Sequence, residues 1–100
     1  MYVDGNIKYV YYYRMINKHL IIQFGLKIRE LREAKNISQE KLSFSTGFHR
    51  TYIGMIERGE QNISLTNMAV FAKVFELNLS ELLDFDTVNA FEKYQTKVSK

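Results

Sequence analysis

The sequence contains no cysteine, which excludes disulfides and thiolate metal sites and fits a reducing cytoplasm. No apolar run approaches the roughly 18 residues that a membrane span needs. Leu20-Ile21-Ile22 is too short for the core of a secretion signal, and no small-residue cleavage site follows it. Internal repeats and low-complexity linkers are also missing. Catalytic chemistry has little to work with. His19 and His49 are isolated, no glycine-rich phosphate loop occurs, and no carboxylate pair has a base or metal ligand beside it. The expectation is a protein that is not an enzyme and takes no cofactor or metal.

What is present fits one small globular domain. One hundred residues with 46% hydrophobic content support a modest core and argue against whole-chain disorder. The net charge of +3 suits a polyanionic partner only mildly. The placement of charge must decide.

Gln39 to Arg58 is the informative stretch. Leu42 and Thr46 share a helix face at i, i+4, and Ile53 and Ile56 share one at i, i+3. Between them sits Gly47, which can take positive φ and turn the chain without strain. His49 can then cap a second helix whose first turn carries Arg50, Thr51 and Tyr52. That is a helix-turn-helix, two short helices crossing steeply, the second offering its N-terminal turn to a DNA major groove.

The surrounding text extends the pattern. Phe24-Gly-Leu-Lys-Ile-Arg-Glu-Leu-Arg32, Ile37-Ser-Gln-Glu-Lys-Leu42 and Arg50-Thr-Tyr-Ile-Gly-Met-Ile-Glu-Arg-Gly59 follow in order. On these words residues 24–83 resemble the phage-repressor/Cro-like helix-turn-helix family. Arg50-Thr-Tyr-Ile with Ile56-Glu-Arg-Gly and Gln61-Asn62 is similar, more narrowly, to the controller proteins of restriction–modification systems. The resemblance implies an all-α, five-helix repressor-like domain that binds a pseudo-palindromic operator in double-stranded DNA as a homodimer. It would act as a cytoplasmic transcriptional regulator, an autoregulating controller of a restriction–modification operon, with RNA polymerase as a further partner and no membrane role. Two alternatives remain open: a phage-type or antitoxin-type repressor, and a protein-interaction module that kept the fold but reads no DNA.

Three segments are expected: 1–17 as an arm or tail, 18–85 as the DNA-binding domain, and 86–100 as a tail or weak helix through Val88, Phe91 and Tyr94. Asp4-Gly5 is a hairpin-turn signal, and Ile7 to Tyr13 is β-prone by its aromatic and branched residues. The first segment reads as an arm packed on the domain or its dimer mate, a loose tail, or an unnatural extension with Met15 as the start. Tyrosines can also stack on bases, but without interleaved arginines that reading ranks last.

Helix one follows Leu20, Phe24, Ile28, Leu31 and Lys35. Gly25 inside it costs up to ~1 kcal/mol relative to Ala, so the helix is expected to fray before Phe24. Asn36 is a left-handed stop, and Ser38 caps helix two. Helix three runs from Arg50 to Arg58, and Gly59 ends it. Ser64 caps helix four, with Leu65, Met68, Phe71, Ala72 and Phe75 facing inward. Asn78 breaks it, and Ser80 caps helix five.

With Ile53 and Ile56 inward, Arg50, Thr51, Gly54 and Met55 point toward solvent or a groove and are the candidate base readers. An arginine can grip guanine O6 and N7 with two donors, and Thr51 can bond a base edge or touch a thymine methyl. Gly54 often matches Ser in controller-like members, so one hydroxyl is missing here. The resemblance assigns phosphate or groove-edge contacts to Gln39, Tyr52, Arg58, Gln61 and Asn62. Asn62 can equally serve only to shape its turn. The resemblance also implies that Arg32 and Glu57 form a structural pair locking helix three onto the domain. Phe44 is placed on the solvent face of helix two. Val70 and Val74, opposite the inward stripe of helix four, are read as a dimer interface.

Overall fold

A computed structural model describes residues 7–86. Five helices follow in order: α1 (Ile7–Ala34), α2 (Gln39–Thr46), α3 (Arg50–Glu57), α4 (Leu65–Val74) and α5 (Leu79–Leu82). The described residues fall into two units, 7–20 with Asp86, and Ile21–Phe85. The expected hairpin signal at Asp4-Gly5 and the tail helix through Val88, Phe91 and Tyr94 lie outside the described residues. No helix among the described residues is long and apolar enough to cross a membrane.

α1 departs from expectation at its start. It is helical from Ile7, so the β-prone run to Tyr13 adopts helix and there is no break before Phe24. Local β preference is a weak prior that helical context overrides. Gly25 has a packing reason rather than a fraying one. A Cβ there would collide with the carbonyl of Ile56 and meet that of Glu57 at 3.1 Å. Backbone therefore lies against backbone where α1 meets the end of α3.

The core belongs to the unit Ile21–Phe85. Phe24 and Ile28 of α1 meet Leu42 of α2, Ile53 and Ile56 of α3, Phe71, Ala72 and Phe75 of α4, and Leu82 of α5. The Phe24 and Phe71 rings meet edge-on at 6.3 Å, and Phe48 stands 5.3 Å from both Phe71 and Tyr52. Such aromatic geometry adds orientation to burial. Leu65 was expected in this core but is 62% exposed, because it occupies the first position of α4, beyond the buried stripe. Val74 was expected to face away, yet it packs partly on the core, while Val70 is half-buried. Phe44 faces solvent, 75% exposed.

Helix ends are set by single residues. Ser38 Oγ accepts from Lys41 N–H at 3.0 Å, His49 Nδ1 from Thr51 N–H at 3.0 Å, and Ser64 Oγ from Asn67 N–H at 3.1 Å. Each satisfies a backbone donor that the helix leaves open. Asn36 and Gly59 take positive φ, and so does Glu76. At each, the following N–H reaches back five residues: Ile37 to Arg32, Glu60 to Met55, and Leu77 to Ala72. α4 therefore stops before Asn78, which instead caps α5: its N–H donates to the Glu81 carboxylate at 2.8 Å. Ser80 lies inside that helix rather than capping it.

Gly25→Ala tests the α1–α3 contact. Overpacking costs ~1–3 kcal/mol, against a gain of at most ~1 kcal/mol in helix propensity. The urea midpoint should fall, and a raised midpoint would show that the two helices do not touch there.

Candidate nucleic-acid interface

The α2–α3 turn positions the site. Gly47 has φ 79°, and its N–H donates to the Ser43 carbonyl at 2.9 Å, ending α2. Thr46 Oγ1 donates to the Leu42 carbonyl at 2.9 Å and accepts from the Phe48 N–H at 3.2 Å. Ser43 Oγ donates to the Phe48 carbonyl. Side chains thus fix the turn before α3 begins.

α3 is held from behind by Glu57, whose side chain is fully buried. Arg32 grips it with two parallel bonds, Nε to Oε2 at 2.7 Å and Nη2 to Oε1 at 3.0 Å. The Arg32 Nη1 donates to the Ile37 carbonyl at 2.9 Å, which ties the α1–α2 connection to the same group. Gln39 Nε2 adds a bond to Oε1 at 3.1 Å, and Arg29 Nε a longer one at 3.4 Å. Burial pushes the Glu57 carboxyl up. The bonds from Arg32, Gln39 and Arg29, with the Arg32 charge, outweigh that and hold it below the ordinary glutamate range. One carboxylate therefore joins α1, the start of α2 and the end of α3.

At the front of α3, Arg50 and Thr51 are exposed on the first turn. Met55 is half-buried, with the Gln61 amide 4.0 Å from its sulfur. Gly54 differs from expectation: it is buried, not groove-facing. A Cβ there would stand 3.1 Å from Arg58 Nη1 and 3.6 Å from Gln39 Oε1, so these two side chains lie over its bare backbone. Tyr52 is half-buried against Phe48, and its hydroxyl accepts from Asn67 Nδ2 at 3.0 Å. The phenolic hydrogen remains available to an acceptor. Asn62 is exposed in the loop before α4. Arg58 closes α3 and is gripped by Glu60, Nε to Oε2 at 2.9 Å and Nη2 to Oε1 at 3.2 Å. The Arg58 hydrogen bonds hold the Glu60 carboxyl below its usual range.

A helix-turn-helix family profile matches residues 28–82, the stretch that holds all of α2, α3 and α4. The chain belongs to the helix-turn-helix family. It is 42% identical over 79 residues to control protein C.BamHI of Bacillus amyloliquefaciens, covering 78% of this chain and 98% of that one. Control protein C.SmaI of Serratia marcescens is 41% identical over 56 residues, or 56% and 67% of the two chains. The crystal structure of the restriction-modification controller protein C.AhdI from Aeromonas hydrophila superposes with TM-score 0.59 at 44% identity, covering 62% of this chain and 94% of that one. The narrower similarity to controller proteins rests on these three.

Within this helix-turn-helix, the Arg32–Glu57 pair is present in the expected geometry. Arg29, Asn67 and Glu60 were missed. Arg29 lies one turn before Arg32 on α1, so i, i+3 spacing carried a signal for it. Asn67 and Glu60 act through tertiary approach and chain reversal, which periodicity does not reveal.

Removing the Glu57 carboxylate leaves the Arg32 guanidinium, only 14% exposed, without its ion-pair partner. Breaking such a pair costs ~3–5 kcal/mol, at about 4–8 °C of melting temperature per kcal/mol for a domain of this size. Glu57→Ala should show that loss in a thermal melt. The folded carboxyl titrates below its unfolded value, so its stabilisation is complete above the unfolded pKa of about 4.3 and is lost as pH falls through the depressed folded value. The melting temperature should therefore drop on acidification below about pH 4, and Glu57→Gln should remove much of that dependence. Equal acid sensitivity in wild type and Glu57→Gln would place the titrating group elsewhere.

Proposed function

We propose that the protein binds duplex DNA as a two-fold dimer and controls transcription of a restriction–modification operon, in the cytoplasm. The observation that carries this reading is the exposed Arg50–Thr51 pair on the first turn of a helix that Glu57 locks from behind. A base-reading side chain needs a rigid platform, because a misplaced bidentate donor loses its geometric selectivity. Similarity to C.BamHI and C.AhdI supports the choice of operon.

In this reading residues 18–85 are the DNA-binding domain, residues 1–17 an arm, and residues 86–100 a tail. Arg50 reads guanine O6 and N7, Thr51 reads an adjacent base edge, and Met55 offers apolar contact to a thymine methyl. Gly54 contributes by letting Arg58 lie close to the helix rather than by reading a base. Gln39, Tyr52, Arg58, Gln61 and Asn62 position the phosphate backbone. Gln39 has its amide on Glu57, so its contact falls to the backbone N–H groups at the start of α2.

Binding to the DNA upstream of its own coding sequence and to a scrambled duplex, across a salt series, tests these roles. Arg50→Ala should lose ~1–3 kcal/mol on a cognate half-site and flatten discrimination at one position. Arg58→Ala should weaken both duplexes about equally and reduce the log–log salt slope by ~0.9 for each half-site occupied. Equal losses on both duplexes for Arg50→Ala would make it a phosphate clamp instead.

The dimer is assigned to the side of α4 around Val70, with Val74 reaching it only by the part that the core leaves uncovered. Val70 is the better probe, because Val74 also packs on the core. A two-fold interface brings each residue close to its own copy or its neighbours. Val70→Glu should therefore sediment as a monomer where wild type is a dimer, with a retained helical melt. Unchanged sedimentation would move the seam elsewhere.

A further inference from the structure

Beside the groups that face DNA in this reading stands one exposed carboxylate, Glu60. Arg58 ends α3, and Gly59 reverses the chain at φ 74°, which returns Glu60 to the guanidinium two residues before it. The contact uses both carboxylate oxygens on one edge of the guanidinium, Nε at 2.9 Å and Nη2 at 3.2 Å. The third nitrogen, Nη1, lies against Gly54, 3.1 Å from where a Cβ would stand. The edge that carries Nη1 is turned to the helix, and the Nε–Nη2 edge is the one Glu60 holds. Both side chains are about half exposed, at 54% and 49%, so water and ions reach the pair.

A phosphate diester presents two charged oxygens to arginine in the same forked manner as a carboxylate. One edge cannot hold both. We propose that Glu60 occupies the phosphate-binding edge of Arg58 in the free protein, as an internal competitor that DNA must displace. It thereby sets the protein concentration at which sites fill. This rests on the reading of Arg58 as a phosphate contact.

The physical consequences differ from those of a supporting residue. A carboxylate that merely steadied Arg58 for DNA would strengthen binding. A competitor weakens it, because each binding event breaks one ion pair and leaves a carboxylate beside the phosphates. The weakening is shared by all sequences, since a phosphate contact carries no base information. Glu60 therefore shifts the affinity scale without altering which operator is preferred.

The test is a double-mutant cycle on the full chain, using the duplex upstream of its own coding sequence and a scrambled duplex. Glu60→Gln and Glu60→Ala should each tighten binding to both duplexes roughly two- to fivefold per half-site, the range over which exposed ion pairs act. In the Arg58→Ala background the same changes should have a clearly smaller effect, because the competed group is gone and only the repulsion between Glu60 and the phosphates is left to relieve. Thermal melts of all variants confirm that the fold is kept. Weaker binding by Glu60→Gln would make Glu60 a support for Arg58 and overturn the proposal. Equal tightening with and without Arg58 would reduce Glu60 to general charge repulsion and overturn it too. Unchanged affinity in Glu60→Gln with normal wild-type binding would sink this inference alone. Wild type that binds neither duplex even at low salt would remove the DNA-binding reading itself, and the competitor with it.

Discussion

A single buried carboxylate organises this domain. Glu57 could not stay ionised in the core without donors, since an unpaired buried charge costs several kcal/mol. Satisfying it draws in Arg32 and Arg29 from α1 and Gln39 from the start of α2. Those three donors come from two other helices, α1 and α2. The orientation of α3 is therefore fixed by where its own last residue must find hydrogen bonds. Apolar packing of Ile53 and Ile56 supplies cohesion, but it is less directional. Gly25 completes the arrangement by allowing α1 to approach the Ile56 and Glu57 carbonyls without an intervening side chain.

The elements that were legible in the sequence are those with local causes. Ser38, His49 and Ser64 are short polar or imidazole acceptors directly before apolar-periodic runs, and each caps as such residues should. Gly47, Gly59 and Asn36 take positive φ because little else does so at low cost. Glu76 does so too, without any compositional hint, and its position moved the end of α4 and the start of α5. The aromatic, β-branched start of α1 misled for a related reason. Its residue types suit a strand, but a long continuous helix tolerates them when hydrogen bonding propagates from a stable segment.

The site itself was partly legible. The exposure of Arg50 and Thr51, the candidate base readers, follows from the face opposite Ile53 and Ile56, which needs only the helical period. Gly54 did not, because period alone cannot foresee two long side chains folding over it. Its burial comes from Arg58 and Gln39, residues four later and fifteen earlier in the chain. Tyr52 likewise reads only as a phosphate or groove-edge contact until Asn67 and Phe48 are placed around it. What spacing misses here is lateral coverage by neighbours from other elements.

The two acidic groups near the end of α3 then divide by exposure into different physical roles. Glu57 is enclosed and bonded to two arginines, so its charge is compensated where it stands and projects little field toward a ligand. Glu60 is half in water, and its pairing with Arg58 is open to exchange with any other forked anion. The same residue type thus builds the platform in one place and, in the role proposed for it, tunes a phosphate contact in the other. What separates them is the turn at Gly59: Glu57 lies before it on a helix packed on the core, and Glu60 follows it in an exposed position. A helix one turn longer would have put Glu60 out of reach of Arg58, since residues two apart on a helix do not face each other. The pairing therefore exists because the helix stops at that point.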